Sequence, residues 1–189
     1  MVRRSMAGAF AAVLAAVALS GSPASASADP PGAGAQGSPQ LQAQRLREAV
    51  DAQLRLTPGG TRTAADEVSW HGGKVVMTWR PPADGGVVPL VTCRSEGWCF
   101  HEHSDFNEGS SSGRTLWFQD CNWQDLADWG FSDKTSSWQN RSGNTIKVIN
   151  HASGKTGHGS DGTLFRMSPK SSARSIGSNN DKADHFECV

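Results

Sequence analysis

The sequence contains no tyrosine, carries only 19% charged residues and has no net charge, with 18 Lys+Arg balancing 18 Asp+Glu. A chain without a charge excess offers no basic footprint for nucleic acid and none for acidic lipid. It has no Cys-x-x-Cys pair, which removes a common frame for a zinc knot or a dithiol redox centre. It has no His-Glu-x-x-His signature and no phosphate-binding loop. Serines, histidines and acids are plentiful, but no spacing pairs a nucleophile with a base or sets two carboxylates across a cleft. The reading is therefore that the protein is not an enzyme. What is abundant is glycine, at 21 residues, together with seven tryptophans. Turn-forming residues around a few large aromatic anchors point to a β protein rather than to charged helices.

Long apolar runs are scarce as well. The run Ala7 to Leu19 follows Arg3 and Arg4 and precedes two small-residue sites, Ala24-Ser25-Ala26 and Ala26-Ser27-Ala28. It is shorter than the roughly 20 residues that span a bilayer. Residues 1–28 read as a secretory signal peptide. Cleavage after Ala28 removes two arginines and no acid, leaving 161 residues with a net charge of −2. The mature protein is expected to be secreted, with no membrane segment and no nucleic-acid partner.

Export decides how the cysteines are read. Cys93, Cys99, Cys121 and Cys188 form an even set in an oxidising compartment, which favours two disulfides over a metal site or a catalytic thiol. Three pairings are possible. The expected one joins Cys93 to Cys99 across a tight turn and Cys121 to Cys188 from mid-domain to the last strand.

Residues 29–39 are rich in Pro, Gly and Ala without a period and read as a flexible linker. From Gln40 to Leu56 the apolar Leu46, Ala49, Val50 and Leu54 recur at helical spacing, and Thr57-Pro58-Gly59-Gly60 stops the helix. Glu67 to Trp70 and Lys74 to Trp79 flank His71-Gly72-Gly73 as a β-hairpin. Pro81-Pro82 and Gly85-Gly86 separate this extension, residues 40–90, from the C-terminal hundred residues. A propeptide, an accessory module and an N-terminal extension of the main domain all remain open.

From about Val91 onward, short aromatic strands alternate with Gly, Ser, Asn and Asp. Sliding this part by 48 residues brings His103 onto His151, Gly109 onto Gly157 and Thr115-Leu116 onto Thr163-Leu164. The same offset places Trp117 on Phe165, Asp133-Lys134 on Asp181-Lys182 and Trp138 on Phe186. Such an offset indicates two copies of one supersecondary unit of about four strands. Two copies make a two-sheet antiparallel sandwich with Greek-key connections over residues 91–189.

The segment Phe100 to Gly109 resembles the folded hairpin of β/γ-crystallin Greek keys, and Ser132 to Trp138 is similar to the serine-containing stretch that comes after it in each key. The wider layout resembles secreted actinobacterial proteins of peptidase inhibitor family 36. The residues that carry this likeness are the signal peptide, Gly59-Gly60, Lys74 to Thr78, Cys93 to Phe100, Gly113 to Phe118 and Cys121 to Leu126. The resemblance implies an all-β, β/γ-crystallin-like two-Greek-key sandwich preceded by a short helix and a β-hairpin. It also implies a peptidase inhibitor that inserts a rigid loop into the cleft of an extracellular protease, a metalloprotease by the family's naming. The prototype closes its inhibitory loop with a local disulfide. No cysteine lies between Asn144 and Arg174 here, so the reactive bond is not carried over. The candidate loop is His151 to Gly162, with His151, Gly154, Lys155, Thr156, Gly157 and His158.

The alternative is a calcium-stabilised β/γ-crystallin-type extracellular module without inhibitory activity. Crystallin keys bind calcium where two Asn/Asp residues, two free positions and two hydroxyl residues come in succession, because one bend then supplies several oxygens. Asp133 and Ser136 fit with Ser132 in the first place. Asn180 and Asp181 fit, with Asp184 and His185 replacing the hydroxyl pair. The competing role of Asp133 and Ser136 is to hold the backbone of a turn. No cofactor is required, and calcium is the candidate ligand. His101 and His103 share one face of a strand and form a two-ligand start for a metal, against the commoner role of partly exposed strand histidines. Trp98, Trp117, Trp123, Trp129 and Trp138 are read as core rather than as a sugar-stacking row.

Overall fold

The first described element is a helix whose start and stop are both local chemistry. In a computed structural model that describes residues 38–80, 93–110, 112–151 and 160–189, helix α1 runs over Pro39–Leu56. Ser38 accepts the Leu41 amide at 3.4 Å, and Pro39 opens the first turn, where its missing N–H costs nothing. The inward stripe buries Val50 and Gln53. Residues 1–37, the signal peptide and all of the linker but Ser38 and Pro39, lie outside the described residues, as do 81–92, Ser111 and most of the candidate inhibitory loop.

Eleven strands come after it among the described residues: β1 Thr61–Ala64, β2 Glu67–Trp70, β3 Val75–Trp79, β4 Trp98–His101, β5 Arg114–Phe118, β6 Gln124–Asp125, β7 Ser137–Asn140, β8 Ile146–Asn150, β9 Gly162–Met167, β10 Ser171–Ala173 and β11 His185–Cys188. They form two antiparallel sheets. One has the order β1-β2-β3-β5-β4-β7-β10, the other β6-β11-β8-β9. The hairpin expected at residues 67–79 is present, and Gly72 and Gly73 at φ 67° and 96° make its turn, a backbone region closed to most side chains. The polar, fully exposed strand β1 was not visible in the sequence pattern.

The 48-residue offset is written into the pairing. β4 and β7 align Trp98 with Asn140 and His101 with Ser137, and β8 and β11 align Ile146 with Cys188 and Ile149 with His185. Each copy lends its third strand to the other sheet, β6 beside β11 and β10 beside β7. The copies differ at the outer pair, where β8 and β9 carry an irregularity at Val148/Ile149.

The core lies between the sheets. Phe118 and Phe186 meet at 4.7 Å between centroids, Phe100 and Phe186 at 5.2 Å, and Trp98 and Phe186 at 5.6 Å. Such edge and tilted pairs add to area burial. Helix α1 and the hairpin share this core. β3 pairs with β5 over five residues, Trp70 packs edge-on against Trp129, and Gln53 donates to the Trp129 carbonyl at 3.0 Å. Cys93–Cys99 and Cys121–Cys188 are both disulfides, the pairing expected. Trp98, Trp117, Trp129 and Trp138 are buried, and Trp123 alone of the five is exposed.

Candidate functional site

Two loops, one per copy, meet through backbone hydrogen bonds. Asp133 and Asp181 both adopt left-handed backbone, at φ 54° and 52°. Asp is among the few residues that tolerate this region, because its short side chain bonds locally. The loops hold each other reciprocally: the Asp133 amide donates to Ala183 O and the Asp181 amide to Thr135 O, each at 3.0 Å. Asp133, Ser136, Asn180 and Asp181 thereby line one surface depression with Glu102, His103, Ser104 and Lys134. The sequence-derived ligand set is brought together, except for Asp184.

Within the depression Ser136 is buried and its hydroxyl donates to Glu102 O at 2.9 Å. Asn180 donates to the Asp181 carboxylate at 2.6 Å. Partial burial, followed by the nearby Asp184 and Asp181 carboxylates, pushes the Asp133 carboxyl above its usual value, while His151 and Lys134 oppose the rise. A bound divalent cation reverses such a shift, since it rewards the charged form.

Asp184 stands where the first copy has Ser136, and its carboxylate is consumed internally. One oxygen accepts the Ser132 hydroxyl at 2.9 Å and the other the His151 amide at 2.8 Å. It braces the second copy and is not placed among the lining residues of the depression.

The His101 and His103 pair is split by burial. His101 is fully buried, its Nδ1 is 3.0 Å from the Thr115 hydroxyl, and burial lowers its pKa to about 4 against an opposing Gln139 side chain. His103 is exposed. Glu102 between them is held by Arg114, with Oε1 2.7 Å from Nη2. Burial raises the Glu102 pKa, and the Arg114 guanidinium more than offsets it, leaving the carboxyl below its usual value. Gly109 to Gly113 carries the letters Gly-x-Ser-x-Gly, which the sequence reading passed over. It lies between the antiparallel strands β4 and β5 rather than between a strand and a helix, the context a nucleophile elbow takes, and its central Ser111 lies outside the described residues.

A third constellation was missed. His151, Asp161 and His185 bring three potential ligand atoms within 4.8 Å of one another. The spacing signal was weak because the residues lie on three different elements. Of the candidate inhibitory loop, His151 and residues 160–162 are described; Gly154, Lys155, Thr156, Gly157 and His158 lie outside the described residues. No helix among the described residues is long and apolar enough to cross a membrane.

No protein-family model matches the chain, and no curated protein matches it. Among solved structures, a mutant betagamma-crystallin domain from Clostridium beijerinckii is similar at 16% identity and a TM-score of 0.34, over 49% of this chain and 97% of that one.

Proposed function

We propose that the protein is an exported, non-enzymatic module of two interleaved β/γ-crystallin-type Greek keys that binds calcium at the paired loops. The strand order supports the Greek-key reading, because each copy places its first, second and fourth strands in one sheet and its third in the other. The observation that carries the calcium reading is the reciprocal pair Asp133 and Asp181, which gathers Ser136, Asn180 and two carboxylates at one depression. Oxygen-rich donors of this kind suit calcium, which takes six to eight oxygens and accepts irregular geometry. Asp133, Ser136, Asn180 and Asp181 would hold the ion, with no role for Asp184. Export is supported by the leader-like N-terminus and by both disulfides.

The test is thermal unfolding in chelator and in calcium. A ligand at one hundred times its Kd stabilises by about 2.7 kcal/mol, which is roughly 5–10 °C in Tm for a chain of this size. The rise is expected for the wild-type chain and absent in Asp181→Ala. A melting curve unmoved by excess calcium sinks the reading. Inhibition of an extracellular metalloprotease is the second reading and rests on the sequence resemblance. Stoichiometric inhibition in a protease panel supports it, and complete inactivity removes it.

A further inference from the structure

We propose that His151, Asp161 and His185 form a binding site for a zinc-class divalent metal, distinct from the calcium loops. His151 comes directly after the end of β8, Asp161 precedes β9 and His185 opens β11, so the three side chains converge from three strands of one sheet. A single oxygen, Asp161 Oδ2, lies 3.3 Å from His151 Nδ1 and 3.3 Å from His185 Nε2. Charge-assisted hydrogen bonds are shorter, about 2.7–2.9 Å. Ligands bonded tetrahedrally to zinc at about 2.0–2.1 Å stand about 3.3–3.4 Å apart, the spacing of both histidine–aspartate pairs here, and all three ligand atoms lie within 4.8 Å of one another.

Burial sharpens the point. The Asp161 side chain is 4% exposed and that of His185 is 0% exposed. A carboxylate taken out of water must be compensated by a cation or by strong hydrogen bonds. Two imidazoles aimed at that one oxygen are nitrogen donors, and two nitrogens with one carboxylate suit zinc, cobalt or nickel rather than calcium. Asp125 Oδ2 lies 3.9 Å from His151 Nε2, the nitrogen turned away from Asp161. That separation is longer than a hydrogen bond, and Asp125 would fix the tautomer and orientation of His151 once the ring closes on it as metal binds. Trp123 covers the His185 ring at 4.3 Å between centroids, and the two imidazoles are 4.6 Å apart.

The first copy keeps only the first histidine of the three. The positions equivalent to His151, Asp161 and His185 are His103, Gly113 and Ser137. Ser137 instead takes the Phe106 amide and donates to His103 O. The cluster arises where the second copy departs from the repeat, and a metal there would pin the end of β8 to the start of β9 and to β11.

The experiment is titration of the disulfide-bonded chain, stripped with chelator, with zinc by calorimetry and with cobalt by visible absorption, in the presence of calcium. One zinc per chain is expected, with the intense visible bands of tetrahedral cobalt. Asp161→Asn, which preserves shape, is expected to weaken zinc at least ~100-fold, and Asp125→Asn about 10-fold. Asp181→Ala is expected to leave zinc affinity unchanged, which separates this site from the calcium reading. His151→Gln, at a partly exposed position, serves where a buried variant fails to fold. Absence of zinc binding to the wild-type chain below millimolar concentrations, or equal affinity in Asp161→Asn and His151→Gln, overturns the proposal in favour of a metal-free ion pair.

Discussion

In the first copy the outer strand β5 is hydrogen-bonded along its length to β3 of the N-terminal hairpin, whereas in the second copy the corresponding β9 ends its sheet. The first copy also keeps a serine latch at Ser137 and an asparagine latch at Asn107, which accepts the His103 amide and donates to Arg114 O. At the position of Ser137 the second copy has His185 of the His-Asp-His cluster, and at that of Ser136 it has Asp184, which accepts the His151 amide. One backbone has thus been completed in two ways. An added hairpin covers one edge of the first copy, and polar side chains with a long-range disulfide secure the second. Among the described residues β9 is an edge strand, whose unpaired backbone groups invite further pairing, and a charged side chain such as its exposed Arg166 is a common defence.

If the hairpin is part of the first copy's core, its removal must cost far more than a change at the open edge. Trp70 is 2% exposed, donates to Thr57 O at 2.9 Å and packs on Trp129. Trp70→Ala is expected to lower stability by about 3–5 kcal/mol, the range for large-to-small aromatic changes in cores. Phe165 on β9 is half-buried and stacks on Trp138 at 6.2 Å, so Phe165→Ala should cost about 1–2 kcal/mol. Urea unfolding of both variants checks the contrast. Equal losses would show that the hairpin is an ornament rather than a wall of the core.

The two disulfides sharpen the same difference. Cys93–Cys99 is local to the first copy, with a separation of 6 residues, whereas Cys121–Cys188 spans 67 residues and ties the segment before β6 to the end of β11. Loop-closure entropy assigns about 4 kcal/mol to the long bridge and about 2 kcal/mol to the short one. The paired serine substitution at Cys121 and Cys188 is therefore expected to lower the urea midpoint about twice as far as that at Cys93 and Cys99. The reverse order would mean that the buried contacts of the short bridge with Val76 and Trp117 matter more than loop length.

Much of this was legible because it is periodic or local. Helix α1 is readable from its apolar spacing and the Thr57-Pro58-Gly59-Gly60 stop, although Ser38 and Pro39, read as linker, turn out to cap and open it, and the hairpin is readable from Gly72-Gly73 between β-rich runs. The repeat is readable from aromatic residues recurring at one offset, and the loops at Asp133 and Asp181 from their likeness to the calcium-binding stretch of crystallin keys. Strand β1 escaped because an exposed edge carries no apolar alternation. The attachment of the hairpin to β5 escaped because strand order between distant segments has no local signature. The His151, Asp161 and His185 cluster escaped for the reason that makes it informative: it breaks the repeat, and a method that finds sites by matching the copies overlooks what only one of them has.

The smallest difference between the copies is a single buried position. His101 and Ile149 are equivalent, both in strands and both buried, one an imidazole and the other a hydrocarbon. Burial holds the His101 pKa at about 4, against 6.5 ordinarily. The folded value is the lower one, so the unfolded chain binds the proton first as pH falls. The stability tied to neutral His101 is fully present above pH 6.5 and is lost progressively as pH falls toward 4. Between pH 7 and pH 5 the loss is on the order of 2 kcal/mol. Glu102 adds to acid sensitivity only further down, because Arg114 depresses its carboxyl below 4.5 and its contribution disappears as pH falls through that lowered value. His101→Ile copies the second half into the first, and the Thr115 hydroxyl keeps its hydrogen bond from Asn107 at 3.1 Å. The variant should fold, and the change in its urea midpoint from pH 7 to pH 5 should be smaller than that of the wild-type chain by the amount above. An unaltered pH dependence would move the acid sensor away from the buried imidazole and leave the two positions interchangeable.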